Sequence, residues 1–75
     1  MGVNATTIFE CRGRGRQMLI DGKYSSAIEN FNILARLDST LYDAYFFRGI
    51  AKYNLGDFIG AEKDFNTTLR LNPIY

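Results

Sequence analysis

The residues best suited to chemistry lie close together, between positions 11 and 16. Cys11, the one cysteine of the sequence, is followed by Arg12, Arg14 and Arg16. A catalytic thiol needs a neighbouring base, usually an imidazole, but the sequence contains no histidine. Cys11 is therefore either a small buried apolar residue, which we favour, or a nucleophile beside cationic side chains.

The three arginines alternate with glycines, a pattern that also occurs in nucleic-acid-binding segments. On a helix, Arg12 and Arg16 share one face, whereas Arg14 points elsewhere. The formal net charge of +1 supplies no basic field to support nucleic-acid binding, so we do not favour that interpretation. Two like charges one helical turn apart instead mildly destabilise the helix, and an anion from an acidic ligand or a partner chain would offset this repulsion.

The remaining composition argues against catalysis and against a membrane span. The acidic residues are scattered singly, without the spacing of metal ligands. We therefore expect no enzymatic activity, no catalytic residues, no metal and no cofactor. No apolar run approaches the roughly 18 residues of a membrane span, and the N-terminus lacks signal-peptide features. These observations favour a cytoplasmic location for this segment.

The sequence repeats itself at a spacing of 34 residues. Arg14 and Gly15 recur as Arg48 and Gly49. Further identical pairs include Gly22 and Gly56, Ala27 and Ala61, Phe31 and Phe65, Asn32 and Asn66, Arg36 and Arg70, and Leu37 and Leu71; Tyr24 is matched by Phe58. A fixed period of about 20–50 residues is typical of stacked repeats, in which each unit is covered by its neighbours.

The spacing of apolar residues predicts four helices, over residues 7–20, 24–37, 41–55 and 58–71. Two pairs of residues are spaced as capping boxes: Thr7 with Glu10, and Thr40 with Asp43. The fold class predicted is therefore all-α, with two antiparallel helix-turn-helix hairpins.

Three kinds of residue are expected to mark where these helices begin and end. Gly22 and Gly56 can adopt the left-handed conformation that ends a helix. Asp57 is placed to cap the fourth helix, and Pro73 blocks its continuation.

Two helices per 34-residue unit, with this spacing, resemble the tetratricopeptide repeat. In that family an aromatic residue and a glycine on the first helix precede an alanine and an aromatic residue on the second, followed by a proline. The second copy supplies all five as Tyr45, Gly49, Ala61, Phe65 and Pro73, and the first supplies Gly15, Ala27 and Phe31. The small residues suit close helix approach, and the aromatic residues fill the space between hairpins.

The resemblance implies a single domain shaped as a short right-handed α-solenoid. Residues 1–7 would form a flexible segment, residues 8–41 the first repeat and residues 42–75 the second. The first copy departs from the family pattern, with Cys11 in place of the aromatic residue and Ser39 in place of the proline.

Both copies also carry arginine where the family prefers leucine. We expect Arg48 to pair with Asp64 on the neighbouring helix, whereas Arg14 would face the neutral Asn30.

Arrays of this family bind partners in a concave groove lined by the first helix of each hairpin. Carried over by position, the groove residues are Phe9, Arg12, Arg16 and Leu19 from the first copy, and Asp43, Phe46, Ile50 and Tyr53 from the second. One wall is then basic and the other apolar, which suits a protein or peptide segment that combines an acid with a hydrophobic anchor. Alternatively, a neighbouring repeat covers the aromatic residues.

Fewer than about three repeats rarely suffice for a stable array. We therefore expect an apolar flank on the second hairpin, including Tyr53, Leu69, Ile74 and Tyr75. Either this segment belongs to a longer array, or copies of it associate as a homo-oligomer. The leading function is thus a protein-interaction scaffold, and the alternative is a structural segment that stacks or self-associates without a ligand of its own.

Overall fold

The computed structural model describes residues 5–73, and within this range the chain is helical without any β-strand. Its four helices are α1 (Ala5–Ile20), α2 (Tyr24–Leu37), α3 (Tyr42–Asn54) and α4 (Phe58–Leu71). Each helix packs chiefly against the next one in the chain, as expected for successive helical hairpins. The all-α prediction is confirmed, and the predicted boundaries of α2, α3 and α4 agree with the structure to within one residue.

The turns within the two hairpins follow the same design. Gly22 and Gly56 have φ angles of 74° and 86°, in the left-handed region that favours glycine. The backbone N–H groups of Lys23 and Asp57 donate to the carbonyls of Met18 and Lys52, at 2.8 and 2.9 Å. These bonds satisfy carbonyls that the helix end would otherwise leave without a donor. The predicted glycine turns are confirmed.

The helix starts agree less well with the prediction. Asp57 caps α4 as expected, since its carboxylate accepts a hydrogen bond from the Gly60 N–H at 2.9 Å. The first predicted capping box is wrong, because α1 begins at Ala5 and Thr7 already lies inside the helix. Residues 5–7 of the segment predicted to be flexible are therefore helical, while residues 1–4 lie outside the described range.

The second predicted capping box is also wrong. The residue preceding α3 is Leu41, which supplies no side-chain cap. Thr40 instead donates from both its hydroxyl and its backbone N–H to the Asp38 carboxylate, at 2.6 and 2.9 Å. This local turn competes with capping of the helix, and its hydrogen bonds lower the pKa of Asp38. Asp43 is consequently free to interact elsewhere.

The core lies where α3 packs against the first hairpin. Phe31 and Leu34 are its largest fully buried side chains. They are joined by smaller buried residues from three helices, namely Cys11, Ala27, Ala44 and Ala51. The predicted small positions allow the close approach: a Cβ added to Gly15 would lie 2.6 Å from the Phe31 ring, and one added to Gly49 would lie 2.7 Å from the Phe65 ring.

A polar network joins α2, α3 and α4 beside this core. Arg48 donates to both carboxylate oxygens of Asp64, at 2.7 and 2.8 Å, which confirms the predicted pair and raises the pKa of Arg48. The same guanidinium donates to Asn32 at 2.8 Å, and Lys52 lies 3.1 Å from Asp64. The buried Asp64 carboxylate therefore has two cationic partners.

The first copy has Arg14 and Asn30 at the positions of Arg48 and Asp64, and these two residues do not form the equivalent pair. Arg14 is exposed and does not meet Asn30 as predicted. The buried Asn30 amide instead donates to the backbone carbonyl of Cys11 at 2.7 Å, and its oxygen accepts a bond from the Cys11 thiol at 3.4 Å. Asn30 is uncharged, and its side chain makes its hydrogen bonds with Cys11. Arg14 therefore has no carboxylate at this position and remains in solvent.

Two glycines of α1 provide a matched test of the close helix approach. Replacing Gly15 with Ala should lower the free energy of unfolding by about 1–3 kcal/mol, because the added Cβ would collide with the buried Phe31 ring. Replacing Gly13 with Ala should raise it by about 0.5–1 kcal/mol, since that Cβ meets no neighbour within 4 Å and alanine favours the helix. Urea unfolding followed by circular dichroism measures both changes. Equal effects of the two substitutions would contradict the packing described.

Candidate functional site

An open cleft separates the C-terminal half of α1 from α3, and we call it the central cleft. Its volume is about 330 Å³, and its lining is mostly apolar. The lining residues are Arg16, Leu19 and Ile20 of α1 and Phe47 and Ile50 of α3. An apolar recess with a single charged group is the arrangement expected of a binding site rather than of a solvated surface.

The fold fixes the walls of the central cleft through the core. Phe47 and Ile50 are three residues apart on α3 and so share one face. The Phe47 ring stacks on the fully buried Phe31, with ring centroids 5.7 Å apart. Leu19 packs partly against the core, whereas Ile20, at the end of α1, is 78% exposed. The α3 wall of the cleft therefore packs directly on the core, and the rim at Ile20 is accessible to solvent.

A second open cleft lies at the start of α1, and we call it the N-terminal cleft. Its volume is about 550 Å³. It is lined by Thr6, Ile8, Phe9 and Arg12 of α1 and by Leu41, which precedes α3. The predicted groove residues Phe9 and Arg12 thus border this cleft, whereas Arg16, Leu19 and Ile50 border the central cleft.

Arg12 and Asp43 form an ion pair between α1 and α3. Arg12 Nε lies 2.7 Å from Asp43 Oδ2, although its N–H is not aligned with an acceptor. The aligned hydrogen bond runs from Arg12 Nη2 to Asp43 Oδ1 at 3.4 Å. Asp43 therefore neutralises Arg12 within the chain, whereas the exposed Arg16 has no carboxylate within ion-pair distance among the described residues.

Three predicted groove residues, Asp43, Phe46 and Tyr53, line neither cleft. Phe46 contacts the rings of Phe47 and Phe65, with centroids 5.5 and 6.0 Å away, and Tyr53 meets the edge of Phe58 at 5.1 Å. Four exposed apolar residues on α3 and α4 form what we call the open flank: Phe46, Tyr53, Phe58 and Leu69. Ile74 and Tyr75, which were also predicted there, lie outside the described residues.

Ile20 and Phe47 line the central cleft although the repeat pattern did not indicate them. Their counterparts 34 residues away are Asn54 and Gly13, so neither copy supplies a matching apolar position. Their apolar character was the available signal. Only the approach of α3 to α1 brings them to the same site.

Cys11 is buried, and its thiol donates to Asn30, as expected for a structural residue. Among residues 5–73 there is no cluster of histidine, cysteine and acidic side chains arranged to hold a metal ion. No helix in the same range is both long and apolar enough to traverse a bilayer.

Comparison with known proteins adds no relative. No protein-family model matches the chain, and no curated protein or solved structure matches it. The clefts and the open flank are therefore the features from which a function can be inferred.

The Arg12–Asp43 pair should contribute measurably but modestly to stability. Both side chains are about a quarter to a third exposed, so we expect a coupling free energy of about 0.2–1 kcal/mol between Arg12→Gln and Asp43→Asn. Chemical denaturation of the wild type, both single variants and the double variant gives this value. The control cycle pairs Asp43→Asn with Arg14→Gln, whose arginine is exposed on the same helix, and it should be additive. Equal coupling in both cycles would contradict a specific pair.

Proposed function

We propose that the chain is a protein-interaction module that binds a peptide segment of a partner protein across α1 and α3. In this proposal the two hairpins are tetratricopeptide-like repeats stacked as a short right-handed α-solenoid. The observation that carries the proposal is the central cleft, an apolar recess between the first helices of the two hairpins.

The arrangement of the helices supports the repeat interpretation. Each 34-residue unit contains two helices joined by a glycine turn. Gly15 and Gly49, at equivalent positions, each face an aromatic ring on the second helix of their hairpin. The packing thus repeats together with the sequence, although the polar partners of Arg14 and Arg48 differ.

The central cleft supports binding rather than catalysis. Four of its five lining residues are apolar, and the fifth, Arg16, carries a charge suited to orienting a ligand. It contains no nucleophile or general base, and Cys11 is buried in the core. The proposed activity accordingly requires no enzymatic step, metal or cofactor.

Peptide binding to the central cleft is testable with two matched isoleucines. Peptides selected from a random display library against the full chain should lose about tenfold or more in affinity with Ile20→Ala, because Ile20 lines the cleft. Ile59→Ala is the control, since Ile59 is equally exposed (76% against 78%) but lies on α4 away from both clefts. Affinities come from fluorescence anisotropy. Failure to select peptides, or equal losses with both variants, would overturn the proposal.

The open flank favours a second candidate, a structural segment that stacks on a neighbour. Equivalent positions are more exposed in the second copy: Tyr24 is half-buried but Phe58 is 59% exposed, and Leu19 is half-buried but Tyr53 is 58% exposed. The first hairpin is covered by α3, whereas α4 packs against α3 and against no other described helix. Self-association through this flank would bury these aromatic residues.

Self-association is tested by the mass of the full chain in solution. If the open flank is an interface, sedimentation velocity should show a concentration-dependent dimer at micromolar concentrations, weakened by Leu69→Gln. Ile33→Gln is the control, because Ile33 is similarly exposed (49% against 51%) but lies on α2. A folded monomer at all micromolar concentrations would contradict this candidate and leave the peptide-binding proposal standing.

A further inference from the structure

We propose, building on the proposed peptide-binding function, that the partner segment carries a carboxylate next to a large apolar side chain. The apolar side chain enters the central cleft, and the carboxylate binds Arg16 at its edge. The two arginines that share a face of α1 then have separate tasks. Arg12 pairs with Asp43 within the chain, and Arg16 binds the carboxylate of the partner segment.

The apolar part of this preference follows from the lining of the cleft. Leu19, Ile20, Phe47 and Ile50 offer aliphatic and aromatic surface without a polar acceptor or donor on their side chains. A polar side chain placed there would lose water without gaining a hydrogen bond, whereas a leucine, isoleucine or phenylalanine would bury apolar surface at no such cost.

The acidic part follows from the distribution of charge among the described residues. Three cationic side chains near the core already have carboxylate partners: Arg12 pairs with Asp43, and Arg48 and Lys52 pair with Asp64. Arg16 is exposed and has no carboxylate within ion-pair distance in the described part of the chain. It is also the one charged side chain lining the central cleft.

A guanidinium beside apolar surface favours a carboxylate in particular. Its fork of N–H donors matches the two carboxylate oxygens, so that one carboxylate can accept two parallel hydrogen bonds. A cationic ligand would be repelled by Arg16, and a neutral one would gain no charge-assisted hydrogen bond from it. Charge complementarity therefore selects an acidic segment.

The shape of the site favours a peptide over a small carboxylic acid. The central cleft is open along one side rather than enclosed, so a small amphiphile would remain largely in contact with water. A peptide adds contacts on either side of the anchored residue, for which the neighbouring surfaces of α1 and α3 are available. We therefore commit to a segment of a partner protein as the occupant.

The experiment uses peptides selected from a random library against the full chain, as above. Selected sequences should be enriched in Asp or Glu next to Leu, Ile or Phe. Changing the acid of one such peptide to its amide should weaken binding about three- to fivefold, and Arg16→Gln in the protein should weaken the parent peptide to the same extent. The two changes combined should cost little more than either alone, because both remove the same contact.

Arg14→Gln is the matched control, since Arg14 lies on the same helix, is also exposed and does not line the cleft. It removes the same charge and should change the affinity less than twofold. Circular dichroism of both variants checks that the helices are retained.

The possible outcomes separate this inference from the function on which it rests. Peptides that require Ile20 but bind Arg16→Gln and wild type equally would overturn the acidic preference while leaving the cleft as a peptide site. Additive losses would show that the carboxylate meets another group, and would also overturn it. Displacement of the selected peptide by octanoate at comparable concentration would identify a small carboxylic acid as the occupant instead.

Discussion

The contact of α3 with the first hairpin is the interaction on which the rest of the structure depends. Phe31 stands at its centre, fully buried, with Gly15 beneath its ring and Phe47 stacked against it. Removing the aromatic ring from that position would leave a cavity between helices of different hairpins. The same contact sets the distance between α1 and α3, and thereby the existence of the central cleft.

The polar network beside the core determines how α2, α3 and α4 fit together. Asp64 is almost fully buried, and a carboxylate in that environment is tolerated only when cationic partners satisfy it. Arg48 and Lys52 do so, while Arg48 also reaches Asn32 on α2. Apolar packing alone is non-directional, so these directed contacts restrict the relative positions of the three helices.

The two copies of the repeat perform different tasks although their sequences correspond. Phe31 of the first copy is fully buried and stacks on Phe47 of α3, whereas several aromatic residues of the second copy remain exposed on the open flank. Arg12 has Phe46 as its counterpart, so a charge that pairs across the helices in one copy becomes an exposed ring in the other. The two copies therefore present unlike surfaces although their sequences are related. One surface is a candidate peptide site, and the other is a candidate interface.

The sequence by itself determined the helices, the glycine turns, the cap at Asp57 and the Arg48–Asp64 pair. Local propensity, helical periodicity and the spacing repeated in each 34-residue unit suffice for features that span one hairpin. It did not determine the start of α1 or the partner of Thr40, because several nearby groups compete for the same hydrogen bonds. Only the tertiary structure decided that Asp43 neutralises Arg12, that Arg16 is left without an anion, and that Ile20 and Phe47 share a cleft. These contacts join residues of different hairpins, whose distance is set by packing in the core and not by spacing along the chain.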